Sequence, residues 1–367
     1  MKIWLIAENW PPRIGGIENY VTGIAKHLEG HDVTVIAPRT SIKVDRTGTL
    51  LRKRFSWKPF RPAWLPLYLS LAKKARKEKP DVILCGKALV EGRVARLLKQ
   101  KYGIPYVICT HGMEIASWMQ RPKTRAQLVD ALKDASYVTY VNKKTRQSLL
   151  ELGVQEEHLM QLYPGIDTEL LDQKQDTHAI LKQYNIQPPY ILTVSRLVER
   201  KGIDDLLEAY SLLDMPEKPS LVIVGDGPER KRLERHAQHL GIQPQFLGRL
   251  SDAEIHLLYT QAILFALTPK ELPGDYEGFG IVYCEAAYFG LPIVATMTGG
   301  VPEAVQNRAT GILAEPNHPK SIAQALKELL ENANLRSQYG NAGRERVLQK
   351  FQWSTIITPL LTAITHL

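Results

Sequence analysis

Tyr190-Ile191-Leu192-Thr193-Val194, an amphipathic stretch over 204–213, and then Ser220-Leu221-Val222-Ile223-Val224 form the passage whose reading decides the fold. Each flanking run is apolar nearly throughout rather than alternating. A strand of that kind must be covered on both faces, which is the situation of a strand inside a parallel sheet. The stretch between them repeats its apolar positions at helical spacing and is long enough to cross back over the sheet. The passage therefore predicts a strand–helix–strand unit of an α/β protein.

The same alternation extends in both directions. Apolar runs fall at 3–7, 33–37, 81–85, 105–110 and 136–141, and again at 190–194, 220–224, 244–247, 262–267, 292–295 and 311–314. Helical patterns lie between them at 17–28, 90–101, 204–213, 230–240 and 322–330. The series breaks at Tyr163-Pro164-Gly165-Ile166-Asp167, and a polar stretch over 172–189 follows, ending in Pro188-Pro189. A boundary at Pro164-Gly165 gives residues 1–164 and 165–352 as two domains. An apolar terminal helix over 353–367, with Ser354 as its N-cap, is expected to return to the first domain. The fold class is α/β: two Rossmann-like, doubly wound parallel-sheet domains facing a cleft.

Length and composition agree, since 367 residues with 44% hydrophobic and 23% charged content suit two globular cores. The opening Met1–Glu8 stretch has too few apolar residues before its charge for a signal peptide and reads as a first buried strand. No run approaches the roughly 20 apolar residues of a membrane span. A cytoplasmic location is expected. Cys85, Cys109 and Cys284 are far apart and lack zinc spacing, so they read as buried thiols.

Charge is divided unevenly. Residues 1–165 hold 28 Lys and Arg against 14 Asp and Glu, whereas the rest holds 19 against 24. The densest basic stretches are Arg52-Lys53-Arg54-Phe55-Ser56-Trp57-Lys58-Pro59-Phe60-Arg61 and Lys73-Lys74-Ala75-Arg76-Lys77-Glu78-Lys79. Basic residues interleaved with aromatics suit an anionic membrane surface or an acidic acceptor. Nucleic acid ranks behind these, because no nucleic-acid module signature is present. A solvated loop and helix face is the plain alternative, in which 64–79 is a crossover helix packed by its apolar side.

The strongest chemical signal is Tyr276-Glu277-Gly278-Phe279-Gly280-Ile281-Val282-Tyr283-Cys284-Glu285. Eight helical residues rise about 12 Å, roughly the distance from a nucleotide's ribose to a sugar on its far phosphate. One glutamate would then accept from sugar hydroxyls and the other from the ribose diol. N–H groups near Phe279, Gly280 and Ile281 would face a phosphate at the helix start. After the run 190–194 comes Ser195-Arg196-Leu197-Val198-Glu199-Arg200-Lys201-Gly202, which places Arg196 and Lys201 to neutralise a diphosphate. Gly15-Gly16 opens a helix after the first strand, and His111 ends the run 105–110 where ligands bind in such sheets. Neither Gly15-Gly16 nor Val224-Gly225-Asp226-Gly227-Pro228 has dinucleotide spacing, and no phosphate-loop motif occurs. Thr298-Gly299-Gly300-Val301-Pro302-Glu303 is a further glycine turn opening a helix. Taken singly, each of these has a bland reading as solvated loop, turn or structural histidine.

Taken in order along nearly the whole chain, they resemble one family, the retaining family-4 glycosyltransferases of GT-B fold. The matching pieces are Gly15-Gly16-Ile17-Glu18, His111-Gly112, Pro164-Gly165-Ile166-Asp167, Ser195-Arg196 with Lys201-Gly202, Val224-Gly225-Asp226-Gly227-Pro228, Phe246-Leu247-Gly248, the glutamate pair and Gly299-Gly300-Val301-Pro302-Glu303. Asn9-Trp10-Pro11-Pro12-Arg13-Ile14-Gly15-Gly16-Ile17 looks most like the phosphatidylinositol and other lipid mannosyltransferases.

The resemblance implies that Arg196 and Lys201 hold a donor diphosphate, with Gly16 closing on it. It gives Glu277 the transferred sugar, beside the backbone of Phe279, Gly280 and Ile281. It gives Glu285 the ribose, Gly248 to Leu250 the border of the base, and His111 a contact near the reacting carbon. The N-terminal domain would bind a lipid-linked or glycan acceptor, and the C-terminal domain the nucleotide-sugar. GDP-mannose is the favoured donor and a UDP-hexose the other. No metal or cofactor is expected, Asp275-Tyr276-Glu277 being only a superficial metal-site look-alike. Peripheral attachment to the inner face of the cell membrane fits the basic first half. The loop 269–276 before Glu277 departs from the pattern, and its role is open. Two other readings stay open: another GT-B enzyme, such as a nucleotide-sugar epimerase or a phosphorylase, and a non-catalytic sugar-nucleotide or membrane-binding protein.

Overall fold

The structure, a computed structural model, describes residues 1–13, 15–38, 51–55, 64–112, 115, 122–171 and 177–367. Ile14, residues 56–61 of the basic-aromatic stretch, Met113-Glu114 and residues 172–176 of the polar stretch lie outside the described residues. Of Leu51–Phe55 the backbone alone is described.

The first sheet contains β1 (Lys2–Ile6), β2 (Asp32–Pro38), β3 (Leu51–Phe55), β4 (Val82–Cys85), β5 (Tyr106–Cys109), β6 (Tyr137–Tyr140) and β7 (Leu159–Gln161) in the order β3-β2-β1-β4-β5-β6-β7. The second contains β8 (Tyr190–Val194), β9 (Ser220–Val224), β10 (Gln245–Gly248), β11 (Leu264–Ala266), β12 (Ile293–Thr296) and β13 (Gly311–Ala314) in the order β10-β9-β8-β11-β12-β13. Every pairing in both sheets is parallel. Each is therefore a Rossmann-like sheet in which strand order reverses between the first and fourth strands, at β1/β4 and at β8/β11. By chain contacts, one unit is Met1–Gly165 with Trp353–Leu367, and the other is Ile166–Gln352.

The apolar runs become strands because both of their faces are covered. Trp4, Ile6, Ile83, Cys85, Tyr106 and Ile108 are buried on the first sheet under Leu67 and Leu71 of helix Trp64–Glu78, Val94 and Leu98 of helix Val90–Tyr102, and Leu128 of helix Pro122–Lys133. All four residues of β4, of β5 and of β12 are buried. Cys85, Cys109 and Cys284 are buried free thiols, and burial pushes the Cys85 and Cys284 thiols far up.

Four differences from the sequence reading have physical causes. β3 and β7 were not among the expected strands. Each sits at an edge with one neighbour, and neither the basic Leu-Arg-Lys-Arg-Phe nor the three-residue Leu-Met-Gln makes an apolar run that a sequence pattern would register. The polar stretch over 172–189 contains the short helix Thr177–Gln183. Ser354 does not cap the last helix, which already begins at Trp353. That ring is buried, stacks on His27 at 5.6 Å and leans on Tyr20 at 5.9 Å, which seats the terminal helix in the first unit.

Candidate functional site

In the second unit, the loops leaving β8 and β11 flank the point where strand order reverses. The β8 loop tightens into a single turn at Glu199–Lys201, and its backbone is fastened to the β11 loop through Lys270 N–H donating to the Arg200 carbonyl at 2.8 Å. Thr268 Oγ1 donates to the Gly202 carbonyl at 2.9 Å. Two cations are thereby aimed at one carboxylate. Arg200 Nη1 and Lys201 Nζ donate to Glu277 Oε2 at 2.8 Å and 2.5 Å. Both bonds fall on Oε2, which leaves Oε1 to accept from a ligand.

Glu277 is 7% exposed. Burial alone would raise its pKa, but the charges of Lys201 and then Arg200 outweigh burial and hold it below the usual carboxylate range. Lys201 is lowered, by burial first and by the nearby charges of Arg200 and Arg196, against the pull of Glu277. Asp275 Oδ1 lies 3.0 Å from Arg200 Nε, but this buried oxygen accepts no hydrogen bond, so the contact is an ion pair of poor alignment.

Backbone geometry supports the same point. Gly299 has φ +54°, and a Cβ there would lie 2.2 Å from the Glu277 carbonyl oxygen. Only glycine allows that approach, and the Gly300 N–H then donates to the same oxygen at 2.8 Å. Gly225, with φ +126°, is pressed against the Ser195 carbonyl in the same way and fixes the start of the Arg196 loop.

The helix after Glu277 is Ile281–Tyr288, with Gly280 as its N-cap in the left-handed region. Glu277 thus precedes the helix, so the helical-rise estimate of about 12 Å does not describe the glutamate pair. Glu285 is half-buried within the helix and accepts from the Tyr259 hydroxyl at 3.3 Å. Its carboxyl is pushed up to about 7, by burial first and then by Asp252, against that hydrogen bond.

Arg196 is exposed, unlike Lys201, and its guanidinium has no partner among the described residues. The Phe279 ring is buried against Phe351 at 5.4 Å, and Ile281 is half-buried. Gly248 is buried and gives its carbonyl to Gly225 N–H at 2.7 Å, while Leu250 is half-buried. Arg200 and Asp275 were quoted in the sequence but assigned no role. The available signal was a third and a fourth charge beside Lys201 and Glu277.

In the first unit, Gly16 is exposed at the start of helix Gly16–Lys26, and a Cβ there would meet nothing within 4 Å. His111, after β5, is half-buried against the Tyr20 ring at 5.1 Å, edge to face. Its Nε2 lies 2.9 Å from the Gly86 carbonyl. Among the described residues, no group of three or more His, Cys, Asp or Glu could hold a metal ion. No helix among them is long and apolar enough to cross a membrane.

Residues 176–346 match the family described as Glycosyl transferases group 1, and residues 14–170 match Glycosyltransferase Family 4. The chain is 31% identical to the GDP-mannose-dependent alpha-(1-6)-phosphatidylinositol monomannoside mannosyltransferase of Mycolicibacterium smegmatis, over 96% of this chain and 95% of that protein. It is 26% identical to the N-acetyl-alpha-D-glucosaminyl L-malate synthase of Bacillus anthracis, over 95% and 93%. Among solved structures, Anabaena HepE in complex with UDP aligns with TM-score 0.86 at 22% identity over all of both chains. The sucrose-phosphate synthase of Thermosynechococcus elongatus aligns with TM-score 0.83 at 20% identity, over 99% of this chain and 98% of that one. The structural likenesses show the fold, which is GT-B with two Rossmann-like domains.

Proposed function

Because this chain belongs to the group 1 and family 4 glycosyltransferases, we propose that it moves a hexose, mannose in the first place, from a nucleotide-diphospho-sugar to a lipid or glycan acceptor, with retention of anomeric configuration and no metal. The observation that carries this reading is the convergence of Lys201 and Arg200 on Glu277 where the second sheet reverses its strand order. Cations beside a carboxylate with a free oxygen suit a ligand that is anionic at one end and rich in hydroxyls at the other.

In this reading Lys201 and Arg196 neutralise the donor diphosphate, Lys201 as a point charge and Arg196 through its fork. Glu277 Oε1 accepts from hydroxyls of the transferred sugar, and N–H groups from Phe279 to Ile281 face a phosphate at the helix start. Glu285 takes the ribose diol, and Gly248 to Leu250 border the base. Gly16 and His111 keep the donor contacts the resemblance implies. The acceptor hydroxyl attacks on the face from which the diphosphate leaves. Its oxygen bonds to the anomeric carbon as the bond to phosphate breaks, and its proton passes to the departing phosphate. Fixed cations stabilise charge on the leaving group without reorganising.

GDP-mannose as donor rests on the mannosyltransferase relatives, which align over 96% and 98% of this chain. A UDP-hexose is the second donor to test, since a neighbour of the same fold binds UDP. The acceptor is assigned to the first unit. A peripheral site on the inner, anionic face of the cell membrane is supported by helix Trp64–Glu78, which exposes Leu65 and Leu69 near its start and Lys73, Arg76 and Lys77 near its end.

Transfer of radiolabelled hexose from GDP-mannose and UDP-glucose to lipid extracts and glycans, with chelator present, tests the reading. Labelled product whose new linkage keeps the donor's anomeric configuration supports it. Epimerised donor, or breakdown that requires free phosphate, would assign the chain to another GT-B activity. Salt-sensitive co-sedimentation with anionic vesicles tests the membrane role, and its absence removes that role.

A further inference from the structure

The buried carboxylate that the proposed reaction does not use lies in the first unit. Glu91, in the first turn of helix Val90–Tyr102, is 1% exposed and has no cation within bonding distance among the described residues. Its partners are backbone instead. Oε2 accepts from the Lys87 N–H at 2.6 Å, and Oε1 accepts from the Glu8 N–H at 2.6 Å. Lys87 follows β4 and Glu8 follows β1, so one side chain grips both loops where the first sheet reverses its strand order.

The Lys87 N–H belongs to the same peptide group as the Gly86 carbonyl, and that carbonyl lies 2.9 Å from His111 Nε2. A carbonyl oxygen only accepts, so Nε2 carries the proton of this bond. One rigid peptide plane therefore has a carboxylate at its N–H end and an imidazole N–H at its C=O end. A carboxylate accepting from the N–H pushes electron density toward the carbonyl oxygen, and bonds in such a chain strengthen one another. Gly86 is itself fixed in place, because its N–H donates to the Ile6 carbonyl at 2.9 Å. A Cβ on it would lie 3.3 Å from Glu91 Oε2.

We propose that Glu91 is a positioning residue for His111, holding the imidazole in its Nε2-protonated tautomer and in one orientation through the Gly86–Lys87 peptide. This rests on the proposed function only in the use His111 makes of that tautomer. The relay itself is a property of the first unit without ligand. It assigns to Glu91 the task that a directly bonded carboxylate performs for histidines elsewhere.

The test is the long-range 15N–1H spectrum of the His111 ring in the full chain at pH 8.5, assigned by loss of its signals in His111→Gln. That pH lies above the value of about 8 to which burial pushes the Glu91 carboxyl, so the ionised form of that group is the larger population. The wild-type ring is expected to show one protonated nitrogen, Nε2, with little exchange. Glu91→Gln presents an amide N–H toward one of the two backbone donors. It is expected to move the ring shifts toward the tautomer average while the melting transition stays cooperative. A wild-type ring protonated at Nδ1, or a folded Glu91→Gln chain with unchanged ring shifts, overturns the proposal. Should that variant fail to fold, the wild-type tautomer and a downfield Lys87 amide proton decide it. Transfer assays are not part of this readout, so failure of the relay and failure of the transferase reading remain distinguishable.

Discussion

The two sheets reverse strand order in the same way, and each places a buried glutamate beside the reversal, yet the two carboxyls titrate in opposite directions. Glu277 faces Lys201 and Arg200 and is held below the usual range. Glu91 faces two backbone N–H groups and is pushed up to about 8, by burial first, against those hydrogen bonds and with the Glu8 charge adding to the rise. Burial costs both of them the charged form. Whole charges at hydrogen-bond distance repay that cost, whereas two peptide dipoles do not. The same topological position therefore serves as an ion-pair site in one unit and as a backbone clamp in the other.

The sharpest break in this comparison is expected at Lys201. Lys201→Ala removes the point charge proposed to stabilise the leaving diphosphate, and transfer should fall by about 10²–10³-fold, with a circular dichroism melt that stays cooperative but moves to lower temperature because Glu277 keeps Arg200 alone as its cation. Arg196→Ala should act in the same direction, and because Arg196 is exposed and unpartnered, its melt should stay within about 0.5 kcal/mol of wild type. Wild-type turnover by either variant would remove that residue from the mechanism.

Next comes the ion-pair cluster itself. Glu277→Gln leaves Lys201 and Arg200 buried around a neutral amide, and a loss of about 3 kcal/mol is expected in denaturant unfolding. Loss of transfer without loss of stability would mean that the cluster contributes little to the native fold. The pH profile separates the two glutamates further. Glu277, lowered on folding, contributes stability that is present above its unfolded pKa and is lost as pH falls through its folded one. Glu91, raised on folding, contributes stability that is present below about 4.5 and is lost as pH rises toward about 8. Unfolding of wild type, Glu277→Gln and Glu91→Gln from pH 2 to 9 should therefore show the first variant losing its dependence on the acid side, below the ordinary glutamate range. The second should lose the decline between pH 5 and 8. Parallel curves for all three would contradict the contrast. The smallest effect belongs to Asp275→Asn, where a half-exposed, poorly aligned ion pair is worth less than about 1 kcal/mol in stability.

Much of this was legible in the sequence because covered parallel strands leave an unbroken apolar run. β1, β4, β5, β8, β9 and β12 were read from such runs. β3 and β7 were not, because Leu-Arg-Lys-Arg-Phe and Leu-Met-Gln contain no unbroken apolar run. Glu277 and Lys201 could be singled out from charge, glycine spacing and position after a strand. That Arg200 turns toward Glu277 could not, since the outward or inward direction of neighbouring residues in a tight turn depends on the docking of Lys270 and Thr268. Glu91 gave no signal at all. Its partners are peptide N–H groups from two distant loops, and a backbone donor has no residue type to recognise.

Calorimetric titration of GDP-mannose and of UDP-glucose into wild-type protein and Lys201→Ala tests most directly the claim that the charged reversal point of the second sheet holds a sugar-diphosphate. The account predicts one-to-one binding of at least one of them by wild type and at least about 10-fold weaker binding by the variant, roughly 1.4 kcal/mol. Equal affinity in the two proteins, or no binding of either nucleotide-sugar by wild type, would contradict it.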